Sequence, residues 1–306
     1  MLTHLRATRR QPSTAPANQM KRPRTANHRR APLRRVALWS LLALACALSL
    51  DAFWIEPSRL VVNRQELKLP NWPAALAGLR IAFVSDLHVG SPHWGVPKLR
   101  ELVTRVNAER PDLILLGGDY LINDVLLGEH VAAEPIAAEL GQLRAPLGVL
   151  AVLGNHDWWN DGAHVRATFE AHGVQVLDAE TRRIELNGSS FCVLGMRDEE
   201  VRDRSPRREL DLALPGLPLL VLVHEPDIFS ELDERPSLVL AGHTHGGQVN
   251  LPLLGRRIVP SRFGQRFAAG HIVEGGRHLF VTTGVGTSIW PVRFGVPPEI
   301  ALLTLR

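Results

Sequence analysis

The stretch LRIAFVSDLH, residues 79 to 88, decides the fold because it joins an apolar run to two side chains that bind metals. The run Leu79 to Val84 has the length and composition of a buried strand. Asp86 and His88 follow directly after it. On an α/β scaffold, residues at the ends of such strands collect where ligands bind. The stretch therefore predicts an α/β fold with a site at its strand ends.

The same arrangement recurs four times along the chain. Strand-like runs span residues 113–116, 149–153, 219–223 and 238–241. The motifs that follow them are Gly118-Asp119, Gly154-Asn155-His156-Asp157, His224 and Gly242-His243-Thr244-His245. Carboxylate, imidazole and amide oxygen suit manganese, iron, zinc or magnesium. We therefore expect two adjacent divalent cations bridged by one carboxylate, and Asp119 is the candidate.

Each motif on its own also has a structural interpretation. Asp86 can end a strand as a turn residue, and Gly117-Gly118-Asp119 is a common turn signal. A lone histidine such as His224 is typical of a core or rim position. His243 and His245 can merely share one side of an extended segment. The occurrence of all five motifs in this order favours the metal site.

The series D-x-H, G-D, G-N-H-[DE], H and G-H-x-H resembles that of the calcineurin-like metallophosphoesterase superfamily, over residues 79 to 250. The ending AGHTHGGQ, residues 241 to 248, further resembles the membrane-associated YkuE/YaeI-like phosphodiesterase branch. The resemblance implies an α/β fold of two packed mixed β-sheets flanked by helices, in four layers α/β/β/α. Periodicity alone would not distinguish this fold from an open doubly wound sheet.

The resemblance also implies the role of each site residue. One metal is held by Asp86, His88, Asp119 and His245, and the other by Asp119, Asn155, His224 and His243. His156 is left free for chemistry. We expect it to donate a proton to the leaving oxygen or to hydrogen-bond the transition state, and we expect Asp157 to orient its ring. The two cations, with manganese favoured, activate a water that attacks phosphorus in line.

The N-terminal region predicts a membrane anchor. Residues 1 to 35 contain ten Lys or Arg and no Asp or Glu, which is typical of a disordered basic tail. Residues 36 to 55 would form about 30 Å of apolar helix, enough to cross a bilayer as a signal-anchor. The basic flank places the N-terminus in the cytoplasm and the catalytic domain, residues 56 to 306, outside the inner membrane, in the periplasm. A cleaved signal peptide, a buried soluble helix and twin-arginine export are alternatives.

Charge argues against a nucleic-acid partner. The whole chain has a net charge of +4, so the 271 residues beyond the tail carry −6. A nucleic-acid enzyme would have a basic body. No protein partner is implied, and we expect a phosphate ester substrate that is lipid- or nucleotide-linked.

Three functions are compatible with the motifs. The first is a metal-dependent phosphoesterase, most simply a phosphodiesterase. The second is a pyrophosphate hydrolase that acts on UDP-2,3-diacylglucosamine in lipid A metabolism, although that substrate is made on the cytoplasmic side. The third is a non-catalytic metal-binding scaffold, which the complete ligand set disfavours.

Several further segments have predicted roles. Helices are expected over residues 97–109, 128–143 and 161–172, and strands over 183–186, 191–194, 278–282 and 300–305. Aromatic residues in Ser91 to Gly95 and Trp158-Trp159 either line the mouth of the site or belong to the core. The charged segment Arg197 to Arg208 is either a solvated loop or a lid that holds phosphate. The remaining histidines are expected at the surface: His130, His164, His172, His271 and His278.

Overall fold

Two six-stranded mixed sheets form the centre of the fold in a computed structural model that describes residues 30 to 306. The strands of the first sheet lie in the order 1-14-2-3-4-5. Strands 14 and 2 pair antiparallel, and the other neighbours pair parallel. Its strands are β1 (Val61–Leu67), β2 (Arg80–Val84), β3 (Leu113–Leu116), β4 (Val149–Ala151), β5 (Gln175–Val176) and β14 (Glu299–Leu305).

The second sheet has the order 12-13-9-8-7-6, with antiparallel pairs at its two edges and parallel pairs between them. Its strands are β6 (Glu180–Leu186), β7 (Ser189–Gly195), β8 (Leu219–Leu222), β9 (Leu238–Ala241), β12 (Gly270–Glu274) and β13 (Arg277–Val281). A small hairpin joins β10 (Asn250–Leu251) to β11 (Gly255–Arg256).

The apolar core confirms the predicted four layers. Along β2, Ile81 and Phe83 face the second sheet, whereas Ala82 and Val84 face helices, because successive side chains of a strand point to opposite faces. A third apolar cluster covers the outer face of the second sheet. Strands buried on both faces explain why their sequences are continuously apolar.

The helix predicted over residues 97–109 is confirmed, whereas the other two predicted helices have different bounds. The helices are α1 (Arg30–Leu50), α2 (Val96–Glu109), α3 (Ala133–Leu140), α4 (Asn155–Ala171) and α5 (Pro206–Glu209). The helix predicted over residues 128–143 is shorter, and the one predicted over 161–172 begins earlier, within the third motif. Asp161 breaks the helical backbone of α4, and its side chain accepts a hydrogen bond from the His164 N–H (3.1 Å). The helix start predicted at residue 161 is thus a capping position inside the longer helix α4.

The N-terminal helix is the one helix of the described residues that is long and apolar enough to cross a membrane, over Arg34–Ser58. It continues from α1 through a π-helical turn, Asp51–Ile55, and a last turn, Glu56–Ser58. Length and composition suggest membrane association. Residues 1 to 29 of the predicted tail lie outside the described residues, and the boundary at residue 56 stays a prediction.

Candidate metal centre

The five polar motifs converge where β2, β3, β4, β8 and β9 end. The parallel strands of each sheet present their carboxyl ends at one edge, so loops that are distant in sequence meet there. The Nε2 atoms of His88 and His245 lie 3.1 Å apart, and His224 Nε2 lies 3.2 Å from His243 Nδ1. Two pairs of imidazoles thus form two neighbouring groups of donors.

Asp119 lies between the two groups. Its Oδ2 is 3.5 Å from His88 Nε2 and 3.2 Å from His224 Nε2. Its Oδ1 accepts a hydrogen bond from the His156 N–H (3.0 Å), which fixes the carboxylate. Asp119 therefore lies within reach of both groups of donors, and its bridging role stays a prediction.

His224 is oriented by a backbone carbonyl. Its Nδ1 lies 2.7 Å from Gly117 O, and only a protonated nitrogen forms that bond. In the neutral ring, Nε2 is therefore left with its lone pair, directed toward Asp119 Oδ2. A carbonyl that sets the tautomer of a ligand is a common support of metal sites.

The remaining donor atoms test whether cations fit here. Asp86 Oδ2 and Asn155 Oδ1 are buried and have no hydrogen-bond partner among the described residues. Buried polar atoms without a partner are costly. Three groups of donors have atoms within 4.8 Å of one another: Asp86, His88 and His245; His88, Asp119 and His156; and Asp119, His224 and His243. The chemistry and clustering of the donors fit divalent metals.

The backbone of the site is strained in the left-handed region. Asp86, His88, Asp119, His243 and His245 all have positive φ, between 39° and 68°. Such values cost free energy for non-glycine residues and cluster at functional sites. Gly242 permits the close packing, because a Cβ there would lie 2.1 Å from Ser85 Oγ and 2.5 Å from Asp86 Oδ2.

Burial keeps three of the imidazoles neutral. It lowers the pKa of His88 to about 3 and that of His243 to about 4, and it lowers the pKa of His245 well below its usual value. Burial also raises the pKa of Asp86 to about 6. For His224 burial acts in the lowering direction, but the Asp119 carboxylate raises its pKa well above the usual value. Neutral imidazole is the form that binds metals.

The role predicted for Asp157 is corrected. Its carboxylate accepts hydrogen bonds from the N–H groups of Asp119, Tyr120, Leu121 and Gly154, at 2.9 to 3.2 Å, rather than from the His156 ring. Asp157 therefore fixes the loop of the second motif against that of the third. The ring of His156 is instead packed against Trp159, with centroids 4.8 Å apart, and its Nδ1 has no partner among the described residues.

A cleft of about 540 Å³ opens beside the donors, and its lining includes Asn155, Trp159, Glu199, Glu225, His243 and Arg262. Trp159 is exposed and contributes to this mouth. Trp94 does not, because it is buried and its Nε1 donates to Pro57 O (2.8 Å). The interpretation of Ser91 to Gly95 as part of the mouth is thus wrong for Trp94.

Three polar residues at the site were missed by the sequence reasoning. Asp198 is almost fully buried, although it belongs to the segment Arg197 to Arg208 that was expected to be a solvated loop or a lid. Burial raises the pKa of Asp198. The pKa of Glu225 is raised to about 8, mainly by burial and next by the charge of Asp198. Asp198 follows β7 as the motif residues follow their strands, a signal that could have found it. Arg293, which is buried beside His245 (Nη2 to Nδ1, 3.5 Å), has no such signal.

Three of the five histidines expected at the surface are exposed, His271 is half-buried and His278 is buried. His130, His164 and His172 are exposed as expected. His278 is buried, with its Nδ1 3.0 Å from His271 Nε2 across the hairpin of β12 and β13. The prediction for His278 was wrong because the neighbouring strand places the His271 ring against the His278 ring, with centroids 5.1 Å apart.

Comparison with known proteins decides the family. A family model described as calcineurin-like phosphoesterase matches residues 79–247. The chain belongs to the calcineurin-like phosphoesterase family. Uncharacterized metallophosphoesterase YkuE of Bacillus subtilis is 31% identical over 258 residues, which cover 83% of this chain and 88% of that protein. Phosphodiesterase YaeI of Escherichia coli is 33% identical and covers 75% and 83%, respectively.

A third relative has a more specific name. UDP-2,3-diacylglucosamine pyrophosphatase LpxG of Chlamydia trachomatis is 27% identical over 323 residues, which cover 86% of this chain and 95% of that protein. The family and its relatives confirm the resemblance in the motifs. This calcineurin-like phosphoesterase is therefore a metal-dependent phosphoric ester hydrolase.

Proposed function

We propose that this chain is a phosphodiesterase with two divalent cations, manganese foremost, in the centre formed by the five motifs. The position of Asp119 Oδ2 between the His88–His245 and His224–His243 pairs supports this proposal most directly. Asp119 would be a ligand of both cations. The other ligands would be Asp86, His88 and His245 for one cation and Asn155, His224 and His243 for the other.

The cations and the protein would have separate tasks. When bound, the cations supply Lewis acidity, which lowers the pKa of water and stabilises charge on the phosphate oxygens during in-line attack. His156, whose ring packs against the cleft residue Trp159, would donate a proton to the leaving oxygen. Trp159 would limit the rotation of the His156 ring through their contact. Asp157 would act as a positioning residue, since it fixes the backbone on both sides of the bridge.

We further propose that the N-terminal helix anchors the enzyme with its N-terminus in the cytoplasm and the catalytic domain in the periplasm. The ten basic residues before the apolar segment support this orientation. C-terminal fusions to alkaline phosphatase and to green fluorescent protein test it. Phosphatase activity without fluorescence is expected, and the reverse result would place the domain in the cytoplasm.

Hydrolysis of a UDP-2,3-diacylglucosamine type of pyrophosphate is a second candidate, favoured by the name of the chlamydial relative. A cytoplasmic catalytic domain in the fusion experiment would favour it, because such a substrate is made on that side.

The test of the leading proposal uses the full chain in detergent. Metal content is measured by elemental analysis, and hydrolysis of bis-p-nitrophenyl phosphate and p-nitrophenyl phosphate is measured with added manganese. About two metals per chain and preferred cleavage of the diester are expected. Preferred cleavage of the monoester would refute the phosphodiesterase assignment, and absence of metal would refute the assignment of the site.

A further inference from the structure

An apolar groove begins two residues after His245. It has a volume of about 300 Å³, and Gly247 and Gln248 form part of its wall. Its lining is mainly apolar and includes Val249, Leu251, Ile258, Ile289, Trp290 and Val292. At about 30 Å³ for a group the size of a water molecule, the groove has room for about ten methylene groups.

The groove is tied rigidly to the turn that carries His245. The Gln248 side chain accepts from the Ser288 N–H (2.7 Å) and donates to Ser288 O (3.1 Å), which joins the two walls. Arg256 Nε donates to Gly246 O at 2.7 Å. These bonds preform the groove and fix its distance from the metal centre.

Large apolar side chains are exposed at and around the groove. Ile258 is 81% exposed and Trp290 58%, and the adjoining turn exposes Leu253 completely. Leu253 and Ile289 have φ of 66° and 61°, in a region where glycine or asparagine is usual. A contiguous exposed apolar surface marks an interaction site. Leu253 and Ile289 are both exposed, and such strain at exposed apolar residues is typical of functional positions.

The same surface is continuous with the end of the membrane helix. The Arg293 N–H, next to the groove residue Val292, donates to Ala52 O at 2.9 Å. The Glu56 carboxylate accepts from the N–H groups of Gly295 and Val296. Phe53 and Trp54 are exposed on this part of the helix. The loop that forms one groove wall is therefore held at the end of the predicted membrane span.

We propose that the groove binds an acyl chain of a membrane lipid whose phosphate ester is cleaved at the metal centre. This inference rests on the proposed phosphodiesterase function and names its substrate class. A lipid that rises partly from the bilayer would enter beside Trp290 and place its chain against Ile258 and Ile289. Its phosphate would then lie toward His245. Exposed Arg257 lines the groove, forms no ion pair with any described residue and would attract the anionic ester.

A series of alkyl p-nitrophenyl phosphodiesters tests this proposal, because methyl, hexyl and decyl esters share one scissile bond. With the full chain and esters below their micelle concentrations, kcat/KM is expected to rise about tenfold or more from methyl to decyl, since each buried methylene contributes. In the Ile258→Ser/Ile289→Ser variant the decyl-to-methyl ratio should fall toward one. The control is Val273→Ser, an exposed apolar residue on β12, which should keep the wild-type ratio. A flat wild-type series, or an equal ratio in all three proteins, would overturn the groove assignment.

A second measurement does not depend on turnover. A twelve-carbon alkyl phosphate with a terminal diazirine is photolysed with the full chain, and the labelled peptides are mapped. Labels on residues 247–258 and 288–292 are expected and should be lost in the double serine variant. Labels confined to residues 36–55 would refute the groove. Absence of cleavage of all three esters together with groove labelling would refute the phosphodiesterase function and leave the acyl site supported.

Discussion

Asp119 and His224 form the central contact of the metal centre, with Oδ2 of the carboxylate 3.2 Å from Nε2 of the imidazole. The Gly117 carbonyl accepts from the opposite nitrogen of the same ring. In the absence of cations, the two side chains form an ion pair, because each stabilises the charged form of the other. Metal binding must release the His224 proton, so affinity for metals should fall at acid pH.

The Asp119→Asn substitution should remove nearly all activity. The neutral amide cannot supply charge to two cations, so metal content should fall below two per chain and kcat/KM by at least about a thousandfold. Elemental analysis and diester hydrolysis check this outcome. Asp211→Asn, on the exposed Asp211, is the matched control and should resemble the wild type. A variant with full metal content and activity would exclude the bridging role.

The His156→Ala substitution should separate catalysis from metal binding. We expect metal content to be retained while kcat falls by about 10²- to 10⁴-fold, since a general acid is lost. His172→Ala, on an exposed histidine, should change neither quantity. Because His88, Asp119 and His156 also form a possible donor group, loss of metal from the variant would identify His156 as a ligand instead.

The stability of the metal-free protein should decrease as pH rises from 6.5 to 8. Glu225 has a pKa of about 8 in the fold and a lower value when unfolded, so the folded state binds more protons across this interval. The decrease is at most about 1.4 kcal/mol per pH unit for this group. His88 and His243 make the free energy of unfolding rise with pH, but only below about pH 6.5. Burial lowers their pKa values, so the unfolded state binds more protons there.

Thermal unfolding in chelator checks this pH dependence. Glu225→Gln should make the decrease in Tm between pH 6.5 and 8 shallower, since the amide does not titrate. Exposed Glu200 provides the control, Glu200→Gln, which should keep the wild-type slope. Identical slopes in all three proteins would show that Glu225 is not protonated in the fold.

Arg293→Lys should weaken metal binding from a distance. The guanidinium donates to Gly286 O, Val296 O and Thr283 O and lies beside His245, and burial lowers its pKa only to about 10. A lysine ammonium cannot donate to these three carbonyls with the geometry of the planar guanidinium. We therefore expect metal affinity to fall about tenfold and Tm to fall as well. Arg277→Lys removes similar bonds to Phe229 O and Leu232 O and should lower Tm alone. Equal metal affinity in both variants would limit Arg293 to a structural role.

Much of the fold and most of the centre could be predicted because their signals are local. Val149–Ala151 and Leu238–Ala241 are apolar because both faces of each strand are covered. His224 and His243 stand directly after such runs. By contrast, the predicted bounds of α3 and α4 were wrong. For α3, apolar spacing continues beyond the residues that are helical, and for α4, Asp161 has the capping pattern of a helix start.

The sequence by itself determined the order of strands and ligands along the chain. Strand periodicity and the residues that follow a strand are properties of short segments. The tertiary structure alone decided which distant groups meet. In the folded chain, Trp94 is buried and donates to Pro57 O, Asp198 lies beside Glu225, and Arg293 lies beside His245. The tertiary structure also assembled an apolar groove from two loops about 40 residues apart. These contacts depend on how two sheets pack, and short-range patterns do not encode them.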